Sequence, residues 1–379
     1  MIARHVFAAG TNATSVASEI VDGLRAPDLR CAFVFADWWI DPIAFARVLQ
    51  RGLAPAPVIG GTTVGVIAPD AIPCSSAAVG AAAGLGLYGD WLRVGIGVGV
   101  DLPKAALTRS RDAVYAAAAE LGTASDRLDR SRHFCVTISD GRCGHEEAFC
   151  IGSAAAAPQI RFVGGCVATD VQSTRKPYAW LNGDVMIDAG IVVMLESELP
   201  CHAVTSSHLV ATDVTTVVTA ASGRDIVELD GYPAATRLTK LVAHLGELDR
   251  SWSSQYSFAR YVDGAPYVRS ITHLEGEHVH LASAVDVGHV LRIMRPGDLI
   301  GQTQRDLAAA ADKVGGTMSA MLAFSCIGRH WEAAARGLDR ELATTYAAYP
   351  TVGFQSYGEQ SGMLLVNHTL TGLAIGARR

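Results

Sequence analysis

Arg329 and Glu359 combine residue type and position in a way that points to ligand chemistry. Arg329 follows Gly328 at the end of the apolar run Met321 to Cys326, and Glu359 follows Gly358 after a second run, Val352 to Phe354. Strands of a strand–helix–strand unit pair side by side. Such ends therefore meet at the carboxyl edge of the sheet, where open α/β sheets bind ligands. An arginine and a glutamate there could take the carboxylate and the amine of an amino acid. They could equally neutralise each other as an internal salt bridge. Cys326 is a candidate nucleophile whose only assignable partner is His330, and a buried structural thiol is the favoured reading.

Other groupings are weaker. His278 and His280 lie two apart on an expected strand and so share a face. His273, Glu275 and Glu277 are close in sequence, and the set could hold a divalent metal ion. An exposed edge strand studded with polar residues is the favoured reading. His145-Glu146-Glu147 opens a helix, but Phe149 stands where a zinc-binding H-E-x-x-H would need its second histidine. Gly84 to Gly89 spells G-x-G-x-x-G. The run after it, Trp91 to Val100, reads as a strand, so the helix N-terminus that would hold a pyrophosphate is missing.

The elements that must position these residues form a repeated pattern. Cys31 to Gly65 reads as an apolar strand, a helix capped by Asp41 with Pro42 at its first position, and a second strand closed by Gly60-Gly61. Phe134 to Asp170 and Met321 to Glu359 repeat the unit and close at Gly164-Gly165 and Gly353. Each spans roughly 30 residues, the size of one strand–helix–strand unit. Tyr178 to Ile187 is an expected hairpin, because Asn182-Gly183 supplies the positive φ of a tight turn. Ile191 to Leu195, Ala203 to His208, Val214 to Thr219 and Asp225 to Leu229 read as an antiparallel meander. Helices are expected over Thr14 to Leu24, Lys104 to Leu121, Tyr232 to Leu245 and, behind an Asp298 cap, up to Val314. Ser257 to Leu281 should give two or three strands, and Gly362 to Ile375 a final one. The fold class is α/β (α+β): two domains, 1–230 and 231–379, with mixed sheets flanked by helices.

Composition narrows the function. Half of the 379 residues are hydrophobic, 18% are charged and the net charge is −6. A large core is expected and a nucleic-acid partner is not. Neither a signal peptide nor an 18-residue apolar run is present, so the reading is cytoplasmic without membrane insertion. Eight cysteines without a C-x-x-C pair read as thiols.

Several segments together resemble the FIST family. Val58-Ile59-Gly60-Gly61-Thr62-Thr63-Val64-Gly65, Phe162 to Asp170, and Val217 to Ala220 leading to Glu228-Leu229-Asp230-Gly231-Tyr232-Pro233-Ala234 are similar to its N-terminal domain. Met294 to Asp298, Phe324 to Arg329, Val352 to Glu359 and Asn367 to Thr371 are similar to its C-terminal domain. His368 departs from the pattern, where glutamine is more usual. The resemblance implies a sensory module that binds a small ligand and reports to a separate partner such as a histidine kinase or chemoreceptor, with homodimerisation open. One branch of the family is a haem-binding nitric-oxide sensor. By that resemblance His208 is the first choice as axial ligand and metal-binding residue of a non-covalent haem b, with His202 and His368 behind it; a strand-end histidine satisfied by its neighbours is the alternative. Arg329, Glu359, Gly358, Asn367, Thr63 and Asp170 are the expected ligand-binding residues, and without haem the ligand would be an amino acid or similar metabolite.

Overall fold

A computed structural model describes residues 1–70, 80–243, 245, 256–262 and 264–378. The chain builds one strand–helix–strand unit three times. The first is β1 (Ala3–Gly10), α1 (Ala13–Leu24), β2 (Leu29–Asp37), α2 (Pro42–Leu53), β3 (Val58–Thr63), then β4 (Val66–Ile67) and β5 (Gly80–Tyr88). The second is β6 (Leu92–Gly99), α3 (Leu102–Glu120), β7 (His133–Asp140), α4 (Glu146–Ala156), β8 (Arg161–Val167), the hairpin β9 (Ala179–Leu181) and β10 (Asp184–Met186), and β11 (Gly190–Ser197). The third opens with β12 (Cys201–Ser206).

A separate module follows before the third unit resumes. It comprises β13 (Val210–Ser222), β14 (Asp225–Leu229), β15 (Tyr232–Pro233), α5 (Ala234–Val242), β16 (Ser257–Val262), β17 (Ala265–Glu275), β18 (His278–Leu281) and β19 (Val290–Arg295). The unit then continues through α6 (Leu299–Lys313), β20 (Met318–Cys326), α7 (Ile327–Arg336), α8 (Asp339–Ala347), β21 (Thr351–Ser356), the hairpin β22 (Glu359–Ser361) and β23 (Leu364–Val366), and β24 (Leu370–Gly376).

Three sheets with matching strand order result: β1-β5-β2-β3-β9-β10, β6-β11-β7-β8-β22-β23 and β12-β24-β20-β21-β4. The strand pairs β2–β3, β7–β8 and β20–β21 are parallel, as strands joined by a crossover helix must be. Each sheet is extended by a strand or hairpin from another unit: β9-β10 follows β8 but pairs with β3, β22-β23 pairs with β8, and β4 pairs with β21. The inner faces of all three sheets share one core. Its aromatic centre is Phe35, Phe324 and Phe354, with ring centroids 4.5–6.4 Å apart. Helices cover each outer face through a core of its own. The inserted module closes into a six-stranded antiparallel barrel, because β13 pairs with both β19 and β14.

Local signals explain much of this. Asp41 accepts from the amides of Ile43 and Ala44 at 3.0 and 3.1 Å, and Asp298 from Gly301 at 2.8 Å, so both caps form as expected. Asn182 and Gly183 turn the hairpin at φ 52° and 86°. The G-x-G-x-x-G stretch lies between two strands with no helix behind it. The expected meander is corrected. Its runs are strands, but β11 lies between β6 and β7 of the second sheet, β12 borders the third, and only β13 and β14 enter the barrel. Apolar runs between turns identify strands without identifying neighbours. The third unit also holds two helices, α7 and α8, where one was expected.

Gly60, Gly164 and Gly353 are the same position in three sheets. A Cβ on them would stand 1.7, 2.3 and 1.7 Å from the carbonyl oxygens of Val34, Thr137 and Ala323 on the parallel neighbour. No rotamer relieves a clash with backbone. Gly353→Ala is expected to cost about 2–3 kcal/mol, the scale of a strongly overpacked core site. Urea unfolding checks it, and an unchanged midpoint would contradict the close pairing. Among the described residues no helix is long and apolar enough to cross a membrane.

Candidate functional site

The third sheet carries a buried polar cluster where the barrel meets the core. Helix α7 starts directly from the end of β20, so the side chains of its first turns lie under the strand ends. Arg329, Glu332 and Arg336 are three and then four residues apart and share one face of α7. Arg329 and Glu332 are fully buried. Three other segments meet this face. His208 comes from the link between β12 and β13, the entrance to the barrel. Thr303 comes from α6, and His368 from the turn into β24, held at φ 57°.

One carboxylate organises the contacts. Glu332 Oε2 accepts from Nε2 of His208 at 2.7 Å and from Nε2 of His368 at 2.9 Å, and Oε1 accepts from Arg336 at 2.5 Å. Arg329 donates to Thr303 Oγ1 at 2.6 Å and faces His208 Nδ1 at 3.4 Å. Arginine can only donate, so His208 Nδ1 is the acceptor and its hydrogen sits on Nε2. Burial drives the His208 pKa down to about 4, against the opposing pull of Glu332, so the ring is neutral at pH 7. Burial would raise Glu332, but its hydrogen bonds from the two histidines outweigh that and hold it well below the ordinary carboxylate range.

Arg329 is thus a fully buried cation bonded to a hydroxyl and facing an imidazole, with no carboxylate partner within salt-bridge reach among the described residues. Its Nε has no partner at all. Nδ2 of Asn367 and Nδ1 of His368 are also buried and unpartnered. Buried charges are ordinarily paired, because desolvating an ion costs several kcal/mol. The internal salt bridge with Glu359 does not form. Glu359 instead shares hydrogen bonds with the hydroxyls of Ser356 and Thr369, both at 2.6 Å; as a neutral acid it donates its proton to one of them and accepts from the other. Burial raises its pKa to about 8, with those two hydroxyls and the charge of Arg329 pulling the other way.

A pH dependence follows. The folded state holds the Glu359 proton up to about pH 8, and the ordinary carboxyl value is 4.5. This group's stabilisation is full below pH 4.5 and is lost as pH rises through 8. Glu359→Gln, which cannot ionise, is expected to flatten the fall in stability between pH 6 and 9. Urea midpoints of wild type and variant at both pH values check this; parallel declines would contradict a protonated Glu359.

The cluster gathers His208, His368, Arg329, Glu359, Gly358 and Asn367. Gly358, at φ 120°, makes the turn that places Glu359 on β22, and its hypothetical Cβ would stand 3.2 Å from Asn367 Nδ2. His202 lies at the far end of β12, half-buried, with Arg161 and Lys313 among the charges lowering its pKa behind burial itself. Thr63 is buried and bonded to the carbonyl of Gln355 at 2.8 Å, and Asp170 caps Gln172 on a loop. Neither enters the hydrogen bonds around Arg329.

Haem does not fit this arrangement. The His208 side chain has 0% exposure, Glu332 occupies one ring nitrogen and Arg329 faces the other. A metal ion would need the bare lone pair of His208 Nε2, which carries the hydrogen, and would sit beside two guanidinium groups. Cys326 is a structural thiol, pushed well above its ordinary pKa by burial, and no contact joins it to His330. Burial drives His330 itself down to about 3.

Sequence reasoning missed Glu332, Thr303, Ser356 and Thr369. The signal for Glu332 was present in the Arg329–Glu332–Arg336 spacing. A second clue is internal symmetry. Glu146 lies six residues past Asp140, as Glu332 lies six past Cys326, and Asp140 and Cys326 end the matching strands β7 and β20. Glu146 is buried too and pairs with Arg224 from the barrel. Two matching glutamates therefore anchor the barrel to two of the three sheets. Further tethers are polar too, among them Arg224 to Glu147 at 3.0 Å, Arg269 to the Leu365 carbonyl at 2.8 Å, the Ala284 amide to Glu147 at 2.7 Å, and Ser283 to Asn367.

Fold and site define a two-module α/β protein whose modules meet at a buried, charged junction. The chain belongs to the FIST family: residues 28–232 match the FIST N domain and residues 234–362 the FIST C domain. FIST domains are generally small-ligand sensory domains in signalling proteins. The matched regions meet between β15 and α5, so the barrel takes strands from both. Among solved structures, cyanuic acid hydrolase from A. caulinodans is similar over 99% of each chain at 12% identity and a TM-score of 0.40. None of the curated proteins matches the sequence.

Proposed function

We propose that this protein senses an α-amino acid or similar small carboxylate metabolite at the junction of the sheet core and the barrel, and reports it to a separate histidine kinase or chemoreceptor. The observation that carries the reading is Arg329: a fully buried guanidinium without a carboxylate partner among the described residues, its Nε free. A planar carboxylate matches the guanidinium fork and supplies the missing charge. Glu359, protonated at neutral pH beside Arg329, would ionise when an ammonium group approached, and so favours a ligand bearing both groups.

The site is sealed, so the ligand enters when the barrel moves. The tethers are hydrogen bonds and ion pairs, the kind of intramolecular interface that permits relative domain motion. Ligand binding thereby changes the barrel's placement, which a partner can read. A thermal-shift screen of amino acids and small carboxylates tests the proposal. A ligand that binds only the folded protein stabilises it by about 2.7 kcal/mol at a hundred times its Kd. The expected result is a raised midpoint with one chemical subset of the panel; a flat response across the panel would contradict it.

A further inference from the structure

The barrel carries a second constellation that the sensory reading does not use. His273 on β17 pairs with His280 on β18, which pairs with Asp225 on β14. Glu275 lies two residues from His273 and opposite His278, so the five side chains share one outward face across three strands. The sequence reading of an exposed edge strand is corrected here: the barrel is closed, and β18 has neighbours on both sides. Protecting a free edge therefore cannot be the reason for these residues.

The second contacts of the two central histidines fix their tautomers. His280 Nδ1 lies 2.5 Å from Asp225 Oδ1, and a carboxylate accepts, so Nδ1 carries the hydrogen. In the neutral ring His280 Nε2 is then a bare lone pair; it is buried, has no hydrogen-bond partner, and lies 3.5 Å from Glu275 Oε2. His273 Nδ1 lies 3.1 Å from Thr272 Oγ1, and that hydroxyl donates its own hydrogen to the His280 carbonyl at 3.1 Å. The hydroxyl must therefore accept from His273, which also leaves Nε2 bare. The two rings stack at 4.2 Å and 4°. Donor atoms of His273, Glu275 and His280 all lie within 4.8 Å of one another.

We propose that His273, Glu275 and His280 bind a borderline divalent transition-metal ion of the Zn2+ type on the barrel. Two imidazoles and a carboxylate are a donor set such ions favour, and a histidine ligand characteristically gives its other N–H to a carboxylate or similar acceptor. Both histidines show that second contact without an ion in place. Asp225 and Glu275 make the immediate surroundings negative, in contrast to the junction with its two guanidinium groups. His278, whose ring is 6.3 Å from that of His280, stands where a fourth ligand would come from. The ion would staple β17 to β18, with β14 held through the Asp225–His280 contact, and so stiffen the module whose movement the sensory reading requires.

The test titrates the full chain with Zn2+ alone by calorimetry at pH 7.5. Wild type is expected to show a binding event that His273→Ala/His280→Ala lacks, and Asp225→Asn should weaken it by about 10–100-fold, the usual effect of removing a ligand's outer partner. Zn2+ should raise the unfolding midpoint of wild type and leave the double variant unmoved. Matching midpoints without Zn2+ would show that the double variant folds. Equal stoichiometry and affinity in wild type and the double variant would overturn the proposal, as would the absence of any binding to wild type.

Discussion

Arg329→Met is expected to abolish binding of the small carboxylate, by at least about 100-fold, while shifting the stability of the unliganded protein by no more than about 1–2 kcal/mol. The two halves of this expectation come from the same observation. Without a ligand, the guanidinium is desolvated and bonded only to Thr303 and a neutral His208. Its removal leaves those two acceptors without a donor, which costs about 1–3 kcal/mol per group. It also removes a buried charge whose desolvation costs several kcal/mol, and apolar replacements of buried ions are often neutral or stabilising. The two effects nearly cancel. With the ligand present there is no cancellation, because the ligand's carboxylate would then be the unpaired buried charge. Arg329→Lys keeps the charge but loses the two-pronged geometry and should bind weakly. Calorimetric titration with the ligand found by screening, beside urea unfolding of the unliganded variants, checks both halves. Full binding by the methionine variant, or a stability loss of 3–5 kcal/mol, would mark Arg329 as purely structural.

The second large effect is expected at Glu332. Glu332→Ala leaves two buried histidines, and the partly exposed Arg336, without their shared acceptor. Breaking a buried charged network by removing one partner costs about 3–5 kcal/mol. The loss should fall on the attachment of the barrel, because His208 is the first contact after β12. Acid should imitate the variant. Folded Glu332 binds its proton only well below the ordinary carboxylate range, so its stabilisation is present above pH 4.5 and lost as pH falls. Folded His208 resists protonation down to about pH 4, against an ordinary imidazole value of 6.5. Its stabilisation is full above pH 6.5 and is likewise lost on acidification toward 4. Both groups act in the same direction, opposite to Glu359. Wild type should therefore lose stability from pH 6.5 to 4 through His208 and further from pH 4.5 downward through Glu332, and Glu332→Ala should lack the lower-pH loss. Urea unfolding across the range checks this, and parallel acid profiles would contradict a junction held by this pair.

Much of the fold was legible because repetition leaves local traces. Each unit has an apolar strand, a helix and a glycine where a parallel neighbour's carbonyl comes too close for a Cβ. Those traces sit at Gly60, Gly164 and Gly353 and needed no tertiary knowledge. Sheet membership was not legible. The pairing of β9-β10 with β3, and of β22-β23 with β8, depends on contacts between distant segments, and a run such as Ile191 to Leu195 reads the same in a meander or in a six-stranded sheet. The closed barrel was hidden for the same reason, since no strand states that its far neighbour is β13.

The site was half legible. Arg329, Glu359, Asn367, Gly358, His208 and His368 were singled out on chemistry or resemblance, and they do come together. Their relations were not foreseen, because these depend on Glu332. That residue looks like one more charge on an alanine-rich helix until packing places two histidines on one of its oxygens. The same packing closes His208 to an iron and leaves Arg329 without a counter-charge. Thr303 and Ser283 gave no signal at all; each matters only through the segment that packs against it.

Calorimetric titration of the wild-type chain with an amino acid that raises its melting temperature, beside the amide of the same amino acid, tests the central claim most directly. Acid and amide share the side chain and the ammonium group and differ only in the group that would face Arg329. The account predicts measurable binding of the acid and a loss of at least about 100-fold for the amide, the scale of an unmatched buried charge. Equal affinity for the two would contradict it.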